Sequence, residues 1–242
     1  MGINLTKIYS PNFNLPKRDK KIIKFIIIHY TGMKSELSAI KRLCNSKAKV
    51  SSHYFIKYNG TIINLVPDLY EAWHAGISKW KKYNSLNKYS LGIELSNPGY
   101  KHGYKKFPLK QINSLKNLIR KLRRIYKIKT ENILGHSDIS PNRKNDPGEK
   151  FPWETLSKEK LSISHNLDKK KLAKYRKVNI SEIEKKNFMR NCYLLGYVKI
   201  DKVASKNNIK FISKAFQRRF RQDLIDGKID KECYLISKNL LN

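Results

Sequence analysis

The sequence predicts a mixed α/β domain, a central β-sheet flanked by helices, followed by a small all-α unit of three helices. Three observations carry that expectation. Lys24 to Tyr30 is a continuous apolar, β-branched run, the pattern of a strand buried on both faces. Pro108 marks the first position of a helix whose Leu109, Ile112, Leu115, Ile119, Leu122 and Ile125 form one apolar stripe to about residue 127. Beyond Trp153 strand-like segments cease and helical spacing takes over.

The remaining elements follow in chain order. Residues 1–20 are polar, contain Pro11 and Pro16, and read as an ordered arm or loop. Ser35 is placed to cap a helix over 36–45, with Leu37, Ile40, Leu43 and Cys44 on one side. Strands at 52–58 and 61–66 flank Asn59-Gly60, a strong hairpin signal. Residues 67–88 hold Pro67, Trp73, His74, Gly76 and Trp80 without a period, as functional loops do. A strand at 90–95 stops at Asn97-Pro98-Gly99, and a short one at 132–134 leads into a turn-rich loop.

Residues 164–178, rich in lysine, read as a basic linker. Helices are expected at 181–196, 209–221 and 230–241, with Asp226-Gly227 turning between the last two. The expected division is therefore 1–163, a linker at 164–178, and a helical unit at 179–242, small but large enough to fold.

Composition narrows the function classes. Among 242 residues, 52 Lys and Arg face 19 Asp and Glu, a net charge of +33. Such a charge attracts polyanions, whether nucleic acid, an anionic membrane face or an acidic wall polymer. It is not gathered into an arm, however. Residues 1–163 hold 32 basic and 11 acidic side chains, and residues 164–242 hold 20 and 8. With no recognition helix and no aromatic RNA-binding pattern, specific nucleic-acid binding is not expected.

Three distant cysteines, Cys44, Cys192 and Cys233, read as reduced core thiols, and no CxxC pair suggests a zinc ribbon. No apolar run reaches the length of a membrane span. The N-terminal residues lack the pattern of a cleaved signal, so the default expectation is a soluble cytoplasmic monomer, with periplasmic or secreted placement left open.

The chemistry concentrates at two chain-breaking places. His29 ends the Phe25–Ile28 run, and the segment from Gly135 to Gly148 brings His136, Lys144 and Asp146 together. Two imidazoles and one carboxylate at the ends of strands suggest a three-ligand zinc site with one position open, the arrangement used by catalytic zinc. Asp138 and Arg143 share that loop and are expected to brace it as an ion pair. His102 and His165, in polar basic segments, are expected to face solvent.

Five segments together carry a resemblance: Ile28-His29-Tyr30-Thr31, Val50-Ser51-Ser52-His53-Tyr54, Ala72-Trp73-His74-Ala75-Gly76, Gly92-Ile93-Glu94-Leu95, and His136-Ser137-Asp138 with Arg143-Lys144-Asn145-Asp146-Pro147-Gly148. In this order, over about residues 22–157, they resemble the zinc-dependent N-acetylmuramoyl-L-alanine amidases of the AmpD/AmiD family, relatives of the peptidoglycan recognition proteins. The resemblance implies an amidase-like α/β fold and a Zn2+ ion held by His29, His136 and Asp146. It also implies Glu94 as the residue that activates water and Lys144 as the one that stabilises the oxyanion. Tyr30, His53, Trp73 and His74 are expected to line the substrate groove.

Phe216-Gln217-Arg218-Arg219-Phe220 followed by Asp226-Gly227-Lys228-Ile229-Asp230 is similar to the small three-helix peptidoglycan-binding domain attached to many wall hydrolases. Peptidoglycan or muropeptides are thus the expected partners, cut at the bond between N-acetylmuramic acid, or its anhydro form, and L-alanine. The alternative is a recognition protein of the same fold that binds without cutting.

Overall fold

Alternation along two neighbouring strands decides where the rest of the molecule sits. A computed structural model describes residues 5–200 and 204–241 and places β3 (Phe25–Tyr30) beside β9 (Ser90–Leu95), parallel, within a six-stranded sheet. The sheet order is β1 (Leu5–Lys7), β5 (Ile62–Asn64), β4 (Tyr54–Ile56), β9, β3 and β10 (Ile133–Gly135). Only the β4–β5 pair is antiparallel. Successive side chains point to opposite faces of a strand. Ile26 and Ile28 of β3 and Leu91, Ile93 and Leu95 of β9 therefore share one hydrophobic cluster, while Phe25 and Ile27 belong to another.

The helix α2 (Leu109–Tyr126) covers the first face with Ile112, Leu115, Leu118, Ile119 and Leu122, all buried. Burying each such side chain is worth roughly 1.5–3 kcal/mol. Pro108 is the cap residue rather than the first helical one. Leu109, expected in the stripe, is 80% exposed. At 100° per residue it lies more than about 100° from the centre of the buried arc, and Leu118 occupies the place within it.

The second face meets the C-terminal helices α6 (Glu182–Leu195), α7 (Ser205–Phe220) and α8 (Lys231–Asn239). Phe25, Ile27 and Leu134 of the sheet join Phe188, Cys192, Ile212, Phe216, Phe220 and Ile236 in one continuous cluster. A third, smaller cluster sits under α1 (Glu36–Leu43), capped by Ser35 as expected.

Several expectations change in detail. The polar arm is not wholly irregular: Leu5–Lys7 pairs with β5, and β2 (Phe13–Asn14) pairs with β6 (Glu71–Ala72). Residues 1–4 of that arm lie outside the described residues. The loop at 67–88 contains β6 and the small hairpin of β7 (Lys79–Trp80) and β8 (Tyr83–Asn84). Strands of two or three residues are too short to show a period.

Asn59-Gly60 turns between β4 and β5 as expected, and Gly60 has φ +89°. A Cβ at Gly60 would also stand 2.8 Å from the Lys110 carbonyl oxygen, so glycine is required twice over. The basic segment 164–178 carries the five-residue helix α5 (Lys169–Ala173), whose Leu172 is buried, and Arg176, which pairs with Glu232 and Asp223.

The short helices α3 (His136–Ile139) and α4 (Trp153–Lys158) follow β10. Cys192 and Cys233 are buried free thiols, and Cys44 is half-buried and free. The Phe-Gln and Asp-Gly motif of the tail builds the fold itself. Fully buried Gln217 donates to Asp226 and the Lys228 carbonyl and accepts from the Gly227 N–H, while Asp230 caps α8.

A core shared by sheet and helices makes a direct prediction. Phe216→Ala should cost about 3–5 kcal/mol, and the helical and sheet signals should lose stability together in one transition. Far-ultraviolet circular dichroism and tryptophan fluorescence, followed through denaturation, check this. A separate early helical transition, with the sheet unmoved, would contradict it.

Candidate metal centre and active site

The second face of the sheet turns polar toward the end of the strands. In register, His29 of β3 sits directly beside Glu94 of β9, and both follow the alternation to the face opposite α2. β10 pairs on the other side of β3 and runs straight into α3, so His136, the first residue of that helix, emerges next to His29. The Ser137 N–H donates to the Asp146 carbonyl at 2.8 Å, closing the loop so that its last ligand candidate returns to its first. Behind Asp146, Gly148 has φ +79°, and a Cβ there would lie 2.5 Å from the Tyr104 hydroxyl.

The result is a tight triangle. His29 Nδ1 and His136 Nδ1 are 2.9 Å apart, and each is 3.1 Å from Asp146 Oδ2. Among the described residues these three side chains form the group able to hold a metal ion. Tetrahedral zinc with ligands at about 2.0–2.1 Å has ligand–ligand edges of about 3.3 Å, close to this spacing.

The outer nitrogens decide what the triangle contains. His136 Nε2 lies 3.1 Å from the Ala75 carbonyl, which only accepts, so Nε2 carries the proton and Nδ1 is bare. Ser90 donates its hydroxyl to the Leu86 carbonyl at 2.5 Å and so accepts from His74 Nε2 at 3.3 Å. His74 Nδ1 is then bare and accepts from His29 Nε2 at 3.0 Å, leaving His29 Nδ1 bare as well. Burial first, then the neighbouring His136, lowers the His29 imidazole to about 4, so it is neutral near pH 7. Two lone pairs and a carboxylate oxygen thus face one another with no donor between them, the chemistry of a cation site.

Gly92 makes the His74 contact possible. It lies on β9 beneath the imidazole, and a Cβ would stand 2.4 Å from the His74 ring.

A cavity opens beside the triangle, lined by Glu94, Lys144, Tyr30 and His74, and further along by Trp73, Met33, Arg42, Leu43 and Val50. Glu94 Oε2 is buried with no hydrogen-bond partner among the described residues. Burial, then the charge of Asp146, pushes the Glu94 carboxyl up to about 8, with Lys144 opposing. Tyr30 is raised to about 12 by burial and by Asp146, which keeps its hydroxyl a neutral donor. Met33 and Arg42 carry no signal in the sequence, and Thr31 and Val50 enter there only as members of the resembling segments. A single arginine on a helix rich in polar residues carries no signal that it faces a cavity.

Three expectations are corrected. His53 does not line the cavity: it is fully buried, accepts the Gly92 N–H on Nδ1, and has Nε2 3.0 Å from the Tyr70 carbonyl. Period-two alternation gave it a face of the sheet but not its distance from the open end. Asp138 does not pair with Arg143. Arg143 donates to the Ala75 and Ile77 carbonyls, and Asp138 pairs with Arg219 at 2.6 Å, a partner 81 residues away. His102 and His165 are both half-buried rather than solvent-facing, and His165 Nδ1 has no partner among the described residues.

Comparison with known proteins agrees with this geometry. Residues 18–149 match Amidase_2, the N-acetylmuramoyl-L-alanine amidase family, and the chain belongs to that family. It is 33% identical to the N-acetylmuramoyl-L-alanine amidase AmiD of Escherichia coli over 232 residues, 90% of this chain and 82% of that protein. The solved structure of AmiD, in complex with the substrate anhydro-N-acetylmuramic acid-L-Ala-D-gamma-Glu-L-Lys, superposes with a TM-score of 0.78 at 31% identity, covering 91% of this chain and 89% of that one. AmpDh3 of Pseudomonas aeruginosa superposes equally well, TM-score 0.78 at 28% identity, over 96% of each chain. The 1,6-anhydro-N-acetylmuramyl-L-alanine amidase AmpD of Haemophilus influenzae is 39% identical over 107 residues, 44% of this chain and 56% of that protein.

The buried His53 yields a test. Burial, then the charge of Arg18, lowers its imidazole from 6.5 to about 3. A depressed imidazole contributes stability that is present above the unfolded value and lost as pH falls through the window toward the folded one. Between about pH 4 and 6 the unfolding free energy should therefore fall by about 1.4 kcal/mol per pH unit more steeply than in His53→Gln. Urea titrations across that range check it, and parallel slopes would contradict it.

Proposed function

We propose that this amidase cleaves the amide joining N-acetylmuramic acid, or its anhydro form, to the L-alanine of the stem peptide, with one zinc ion held by His29, His136 and Asp146. The observation that carries the reading is the donor-free triangle of three acceptors beside a cavity that also holds an unpartnered carboxylate and a lysine. Held by these three residues, zinc would supply Lewis-acid chemistry, polarising an acyl carbonyl and making water more acidic.

The chain's own groups supply the rest. Glu94, whose Oε2 has no partner among the described residues, takes a proton from the attacking water and returns it to the departing alanine amine. Its burial raises its proton affinity toward the working pH, which suits a group that must both take and give a proton. Lys144 places a cation beside the oxygen on which negative charge develops. Tyr30 donates a hydrogen bond near the scissile amide. His74 and Ala75 hold the outer nitrogens of the two histidines and so fix which nitrogen faces the ion.

Trp73, Met33 and Val50 give the sugar and peptide an apolar wall, and Arg42 on the same cavity suits a stem-peptide carboxylate. The co-complex of AmiD with an anhydromuramoyl peptide supports a substrate of this chemical class. The C-terminal helical unit would add a hold on wall polymer, assisted by the positive charge. No observation favours binding without cutting, since every side chain the chemistry calls for lines the cavity.

Release of stem peptide from defined anhydromuropeptides, followed by mass spectrometry, tests the proposal. Chelator should abolish release and zinc restore it. Glu94→Gln should lower kcat by about 10²–10⁴ and Lys144→Met by about 10²–10³, with zinc binding retained in both. Full activity of Glu94→Gln, or activity indifferent to chelation, would refute it.

A further inference from the structure

The turn that carries His136 is held from the far end of the chain. Asp138 lies on α3, two residues beyond His136, and is 1% exposed. A carboxylate so buried needs partners, because removing it from water without them costs several kcal/mol. Its Oδ2 accepts the Gly135 N–H at 2.8 Å and Arg219 Nη1 at 2.6 Å. Its Oδ1 accepts the Tyr197 hydroxyl at 2.7 Å. Of these three donors, two belong to the C-terminal helical part.

Both donors are themselves fixed. Arg219 Nη2 donates to the Ile133 carbonyl of β10 at 2.8 Å, and its guanidinium lies over the Trp153 ring at 4.5 Å. One planar group thereby ties together the strand before His136 and the turn after it. Tyr197 packs edge-on against Trp80 at 4.9 Å between centroids. The preceding Gly196 has φ +132°, and a Cβ there would stand 2.4 Å from the Trp80 ring, so the helix end meets the β7–β8 hairpin closely. Lys81 closes this junction by donating its N–H to the Gly196 carbonyl at 2.8 Å.

We infer that Arg219 and Tyr197 are positioning residues for the metal site: through Asp138 they set the place of His136, and so the C-terminal helices are a working part of the metal centre. The inference rests on reading His29, His136 and Asp146 as that centre. A triangle with edges near 3 Å tolerates little drift of one vertex. Hydrogen-bond partners that orient ligands commonly govern metal affinity by about 10–100-fold.

Loss of stability alone would not distinguish bracing of the metal site from ordinary packing. Arg221 provides the control. It is equally buried in the same region, but its pairs with Asp226, Asp230 and Glu232 stay within the helical part. The full chain and its variants are titrated with Zn2+ against a competing chelating dye, at a temperature where circular dichroism shows each folded.

Arg219→Met should weaken zinc affinity by about 10–100-fold, and Arg219→Lys, which keeps one donor, should recover part of it. Tyr197→Phe should lose about tenfold with its packing intact. Arg221→Met should bind zinc as the parent does. If Arg219→Met does not fold, Tyr197→Phe decides the matter. Parent-like affinity in Arg219→Met or Tyr197→Phe, or an equal loss in Arg221→Met, overturns the inference while leaving the zinc site standing. A parent chain that does not bind zinc overturns both.

Discussion

Three acceptor atoms without a donor among them cannot sit together in a protein interior unless something positive joins them. Nδ1 of His29, Nδ1 of His136 and Oδ2 of Asp146 are in that position, each within 3.1 Å of the other two. For neutral imidazoles, the outer hydrogen bonds remove the alternative of turning a proton inward. The surroundings read as the means of keeping this unfavourable arrangement in place. The central strands fix His29, and β10 with its buried turn fixes His136. The backbone bond from Ser137 to the Asp146 carbonyl brings the third atom back to the first two.

The same sheet explains why Glu94 is where it is. On β9 the order Ser90, Gly92, Glu94 runs along one face, and the residues between them fill the core on the other. Ser90 ends the hydrogen-bond chain from His29, Gly92 leaves room for the His74 ring, and Glu94 reaches the cavity. One strand face thus carries three consecutive steps of support for a single centre. The opposite face is ordinary hydrophobic packing against α2.

Much of this was legible in the sequence. The apolar run ending at His29, the alternation of 90–95 and the turn-rich loop with His136 and Asp146 are local patterns, and local patterns survive without coordinates. What was not legible depends on contacts between distant segments. Arg219 is one arginine of an adjacent pair in a chain with 52 basic residues, and nothing nearby marks it as the partner of Asp138. Proximity in sequence suggested Arg143 instead, which binds backbone carbonyls. His53 and His74 look alike in sequence. Only the tertiary arrangement ties one to the Gly92 backbone and the Tyr70 carbonyl and sets the other against a metal-ligand candidate. The strand at 5–7 is too short for any periodic signal.

Zinc-edge X-ray absorption of the loaded full-length chain tests the central claim most directly. The account predicts one ion per chain, four-coordinate, with two imidazole nitrogens and oxygen donors at about 2.0–2.2 Å. Sulfur scattering at about 2.3 Å, an ion without imidazole ligands, or no stoichiometric uptake would contradict it.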